Sequence, residues 1–198
     1  MKKTLLLFSL LLLIFSCKVD SKKEATNQHQ DHAATEQVST NTKKVLSPHE
    51  SAMAMIGDAH IHIDYSSPGV RGRIIYGGLL AYGEVWQSGA HNATWIETNK
   101  DLLLNGNLVK AGKYGFFTIP NKDVWTIIIN KNWDQHGKDE YDQKDDVLRF
   151  DVTPTLSEDI TEHLLYQVQK TNDNEGTISL SWEKVTVSFP VSVVEHND

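Results

Sequence analysis

The stretch TISLSWEKVTVSFPV, residues 177–191, decides the fold class. Ile178, Leu180 and Trp182 alternate with Ser179 and Ser181, and Val185, Val187, Phe189 and Val191 alternate with Thr186 and Ser188. A period of two places one set of side chains on each face of a strand, so an apolar set facing a polar one marks a half-buried antiparallel strand. Trp182 is core by this alternation. Pro190 has no N–H to give to a ladder, which predicts an edge position for the end of this segment.

The same period runs outward from that segment. Leu148, Phe150 and Val152 share a face, with polar groups between them, and Trp125 to Ile129 is apolar almost without interruption, the pattern of a strand central to its sheet. Asn105-Gly106, between Leu102-Leu103-Leu104 and Leu108-Val109, is a two-residue hairpin signal. Ala111 to Lys113 and Asn172 to Gly176 read as turns. The one helical expectation is Pro154 to His163, with Ser157 as cap and Glu158 and Asp159 in the first turn. The expectation is an all-β domain, an antiparallel β-sandwich or jelly roll of about eight to ten strands, over residues 47–198.

The N-terminal part reads differently. Met1-Lys2-Lys3 precedes an apolar run from Leu5 to Phe15 that falls short of the roughly 20 residues a membrane helix needs. It has the flanks and length of a secretory signal peptide over residues 1–16. The run closes on Ser16 and Cys17, the chain's only cysteine, and the segment resembles a bacterial lipoprotein signal. That resemblance implies multiple acylation of Cys17, hence a lipid anchor in a bacterial membrane with the domain outside the cytoplasm. Residues 18–46 are polar, mixed in charge and free of aromatics, a disordered tether with a mean reach of about 30 Å. His29 and His32 belong to this tether. A formal net charge of −7 opposes binding of nucleic acid, which needs a basic face.

Six of the 12 glycines fall between Gly69 and Gly89, inside a segment from Gly57 to Thr94 that carries most of the candidate chemistry. His60, His62 and Asp64, at i, i+2 and i+4, lie on one face of a strand with Ile61, Ile63 and Tyr65 on the other. Two imidazoles side by side suit a divalent transition metal such as zinc, with His91 and His136 as the remaining ligands. An ordinary amphipathic strand with a solvated His-His-Asp face accounts for the same pattern. A resemblance to metal-binding cupins stops at the His-x-His pair, because no glutamate follows at the required offset. Arg71 and Arg73 make a fork suited to a carboxylate, sulfate or phosphate, or brace the loop on a carboxylate such as Asp64 or Glu84. Trp86 and Trp133, with Trp95, offer stacking platforms for a small ligand or a glycan, or pack as core. No Gly-x-Ser-x-Gly elbow, phosphate loop or EF-hand spacing is present.

From Ser47 to about Val194 the chain resembles domain-of-unknown-function family 2911, a group of secreted bacterial proteins and lipoproteins. The resemblance is carried by Ser47-Pro48-His49, Tyr65 to Gly77 (YSSPGVRGRIIYG), Val85 to Thr94 (VWQSGAHNAT), Ala111 to Pro120 (AGKYGFFTIP), Trp125 to Asn130 (WTIIIN) and Ser181-Trp182-Glu183. Where the family more often has Trp-Arg-Thr-Gly-Ala-Asn-Glu, this chain has Gln87 in place of the Arg and His91-Asn92 in place of the Asn-Glu. A shared charge-based role for those positions therefore does not carry over. The resemblance implies fold and location, and no activity. Three functional expectations stand: an envelope lipoprotein that binds a small ligand or metal, a carbohydrate-binding or cell-envelope interaction module, and a metal-dependent enzyme using His60, His62 and His91.

Overall fold

The computed structural model describes residues 45–194. The expected signal peptide, Cys17 and the tether as far as residue 44, with His29 and His32, lie outside the described residues. The described part is an antiparallel β-sandwich of ten strands. A six-stranded sheet has the order β1-β2-β3-β6-β7-β8, and a four-stranded sheet the order β5-β4-β10-β9. The first contains β1 (His49–Ile56), β2 (Ala59–Ser66), β3 (Trp95–Thr98), β6 (Gly112–Ile119), β7 (Trp125–Asn130) and β8 (Asp146–Val152). The second contains β4 (Leu102–Leu104), β5 (Asn107–Val109), β9 (Thr155–Lys170) and β10 (Glu175–Val193).

Alternation sends one face of each sheet into a common core. Ile61, Ile63, Ile96, Phe116, Ile127 and Ile129 come from the larger sheet, and Leu102, Tyr166, Ile178, Leu180, Trp182 and Phe189 from the smaller. Phe116 stacks on Phe189 with ring centroids 6.3 Å apart, joining the sheets at mid-core. Burying each such side chain contributes roughly 1.5–3 kcal/mol. Trp125 and Trp182 are each 1% exposed, in keeping with their alternation.

The unbroken apolar run of β7 has a specific cause. Trp125, Ile127 and Ile129 enter the main core, while Ile128 on the opposite face joins Phe117 and Ala93 in a second, smaller core. Val85 and Tyr141, from the loops that carry the candidate site, pack onto this smaller core. Those loops are thereby fastened to the outer face of the sheet.

Two sequence expectations need correction. Residues 154–163 form no helix: Thr155 begins β9, with Thr155 opposite Thr186 and Leu156 opposite Val185 of β10. The register then jumps, Thr161 facing Glu183, so the stretch 157–160 is an excursion from the ladder. Ser157 accepts a hydrogen bond from the Asp159 N–H, a local turn rather than the cap of a helix. Pro190 lies in an interior strand, not at an edge. It is tolerated because pairing with β9 ends at Thr186 and pairing with β4 begins at Val191. Its carbonyl accepts from the Asn105 N–H.

Candidate functional site

Residues 67–94 connect β2 to β3 and are tied down along their length. Ser67 donates through Oγ to the Leu164 carbonyl at 2.7 Å, and the Val70 N–H to the Glu162 carbonyl at 2.7 Å. Trp86 and Thr118 exchange backbone hydrogen bonds of 2.8 and 3.0 Å. Further along, the Gly137 N–H reaches the His91 carbonyl at 2.7 Å and the Ala93 N–H reaches the Gln135 carbonyl at 3.0 Å. The loop carrying Trp133 and His136 is thus zipped against the loop carrying His91.

Three residues of this connection adopt left-handed backbone without being glycine: Arg71 (φ 50°), Ser88 (φ 56°) and His91 (φ 61°). Such conformations persist only where the surroundings fix them. Around Ser88 the fixing groups are visible. Its Oγ donates to Thr118 Oγ1 at 3.0 Å, and its carbonyl accepts from Thr94 Oγ1 at 3.0 Å and from the Tyr166 hydroxyl at 2.8 Å. Complete burial holds the Tyr166 phenol well above the usual range, so it remains a donor.

Two cavities open beside these strained residues. The first, about 300 Å³, is lined by Arg71, Arg73, Trp86, Gln87, His91 and Trp182, among others. Neither guanidinium forms an ion pair with a carboxylate among the described residues; Asp64 pairs with His49, and Glu84 with Lys138. The expected carboxylate partners are not used, and the arginines are held by backbone carbonyls instead. Arg73 donates through Nε to the Val70 carbonyl at 3.1 Å and through Nη2 to the Gly69 carbonyl at 2.6 Å. Arg71 donates through Nη2 to the Leu46 carbonyl at 3.0 Å. These bonds orient both forks, and no ion pair among the described residues compensates their charge.

Aromatic rings line the cavity as well. Trp86 is only 4% exposed, so it is no open platform; it stacks on Trp182 at 5.7 Å and donates through Nε1 to the Gly89 carbonyl. Trp182 Nε1 and the neighbouring Tyr76 hydroxyl are buried with no hydrogen-bond partner among the described residues. Burial, with Glu183 and Tyr82 nearby, pushes the Tyr76 phenol far up.

The second cavity, about 160 Å³, is lined by His49, Asp64, His91, Trp95, Trp133 and Asp134, among others. His49 Nε2 lies 2.8 Å from Asp64 Oδ2. Trp95 and Trp133 meet edge to face at 6.4 Å, and the Lys113 ammonium sits 3.5 and 3.8 Å from their ring centroids. His91 borders both cavities.

The four histidines singled out from the sequence fall in different places. His60 and His62 point outward from β2, their ring centroids 6.1 Å apart. His136 joins Asn92 through a backbone bridge but turns its ring to Asp139, 3.3 Å away. Among the described residues no group of three or more His, Cys, Asp or Glu side chains is placed to hold a metal ion. Arg71, Arg73, Trp86 and His91 do come together, around the first cavity. Sequence reasoning missed His49 as a wall of the second cavity, although Ser47-Pro48-His49 stands out as a motif. Trp182 is the core residue that its alternation predicts, and it also borders the first cavity.

The family model described as "Protein of unknown function (DUF2911)" matches residues 47–191. No curated protein and no solved structure matches the chain.

Proposed function

Since the chain belongs to the DUF2911 family, which prescribes no activity, we propose a function from the site itself: a lipid-anchored envelope protein whose β-sandwich binds a small anionic ligand between Arg71 and Arg73. The observation that carries this reading is the pair of oriented guanidiniums on one cavity wall, without carboxylate partners among the described residues. Both arginines are exposed, so water solvates them in the open pocket, and an arriving anion would gain charge-assisted hydrogen bonds from forks that are already oriented. Planar forks suit a carboxylate or phosphate group.

The test uses the full chain in detergent, titrated with inorganic phosphate and with succinate at constant ionic strength, followed by tryptophan fluorescence. Saturable binding of either anion, abolished in Arg71→Gln and weakened in Arg73→Lys, is the expected result. Equal responses from the unmodified chain and Arg71→Gln would remove the reading. The anchor is tested separately: Cys17→Ala should move the protein from the membrane to the soluble fraction.

A second reading, glycan binding, draws on the smaller cavity, where Trp95 and Trp133 stand beside Asn92, Asp134 and Gln135. Retention on immobilised peptidoglycan that is lost in Trp133→Ala would favour it over the anion pocket.

A further inference from the structure

All the methionines of the described residues lie on one small patch. Met53 and Met55 alternate on β1 with Ala52, Ala54 and Ile56, so the apolar set faces the core and both thioethers face out. They are 55% and 52% exposed, whereas Ile56 is fully buried. The register places Met53 opposite His62 and Met55 opposite His60. Two thioethers and two imidazoles therefore occupy the corners of one cell of the sheet. Cross-strand spacing and strand rise put each Cβ about 4 Å from the centre of that cell. Every one of the four side chains is long enough to reach it.

The spacing of the two rings fits a shared ion. Two imidazoles on one ion at about 2.0–2.1 Å have centroids no more than roughly 6.5 Å apart, and those of His60 and His62 stand at 6.1 Å. His62 packs edge to face on Trp95 at 4.9 Å, which limits its rotation. Its Nε2 is enclosed, with no hydrogen-bond partner among the described residues. A nitrogen in that state is costly in an ordinary solvated strand face and suited to a ligand. The nearest cation in the row Met53-His62-Glu97-Lys113 is drawn off, its ammonium held on Trp95 and Trp133.

We propose that Met53, Met55, His60 and His62 form a binding site for a soft monovalent metal ion, Cu(I). The choice of metal follows from the donors. Zinc would need a third imidazole, thiolate or carboxylate, and the described residues assemble no such set. Thioethers are poor ligands for hard cations and good ones for Cu(I). The site lies outside both cavities and does not depend on the anion pocket.

Competition for Cu(I) between the full chain and bicinchoninate, without oxygen, tests the site. One Cu(I) per chain is expected, with affinity falling at least roughly tenfold in Met53→Leu/Met55→Leu. Leucine keeps the side-chain volume, so this variant should retain the circular dichroism spectrum of the unmodified chain. His60→Asn/His62→Asn should lose binding as well. A His29→Asn/His32→Asn variant should bind as the unmodified chain does. The proposal is overturned if the chain retains no Cu(I), if the leucine variant binds Cu(I) unchanged, or if only the His29/His32 variant loses it.

Discussion

Two buried tyrosines make opposite predictions. The Tyr166 hydroxyl donates to the Ser88 carbonyl at 2.8 Å and helps hold Ser88 in its left-handed conformation. Tyr166→Phe should therefore destabilise the fold by about 1–2 kcal/mol, read from the urea midpoint. The Tyr76 hydroxyl is buried with no partner among the described residues, so folding strips it of water without return. Tyr76→Phe should leave stability unchanged or raise it by up to about 1 kcal/mol. If both substitutions destabilise equally, the hydrogen-bond distinction between them is wrong. The same residue-level logic explains what the sequence could and could not say about the site. Arg71, Arg73, Trp86 and His91 stood out because charged, aromatic and glycine-rich chemistry was concentrated in one segment, and they share one cavity. Met53 and Met55 did not stand out, because an apolar side chain on a strand reads as core until the register shows which face it takes.

Among the elements, the hairpin from β4 to β5 is the most local. Asn105 and Gly106 have φ of 49° and 79°, the twist that two-residue hairpins require, with Leu104 opposite Asn107. Gly106→Val should cost about 1–2 kcal/mol, visible as a lower melting temperature, because a β-branched side chain disfavours that backbone. Local signals of this kind were legible: the hairpin and the alternating faces of β2, β8 and β10 follow from a few adjacent residues. The stretch 155–163 was not. Its Ser-Glu-Asp sequence has the local chemistry of a helix start, and only distant partners on β10 hold it extended. His136 was misleading for a related reason. Its backbone does approach the His91 loop, through Asn92, but its ring goes to Asp139 instead.

At the scale of the molecule, the buried tyrosines give the sandwich an alkaline limit. Burial raises the phenols of Tyr65, Tyr76 and Tyr166 above their ordinary value. An acid whose folded pKa is raised leaves stability intact below the unfolded pKa and removes it above. The unfolded chain ionises near pH 10 while the folded one stays neutral. The urea midpoint should hold through neutral pH and fall from about pH 10 upward, less steeply in Tyr76→Phe. A midpoint independent of pH in that range would contradict the burial.

β10, the last strand of the described residues, lies between β4 and β9 and supplies Ile178, Leu180, Trp182, Val187, Phe189 and Val191 to the core. This order has a consequence in time. A chain made from its N-terminus at about 5–20 residues per second presents β4 several seconds before β10, the strand that must join it to β9, while β9 precedes β10 by only residues 171–174. Until residues 175–193 emerge, both keep an open edge and half of the sandwich has nothing to close on. The nascent chain is therefore committed to remain unfinished until almost all of this domain has been synthesised, and then to close its second sheet in one late step.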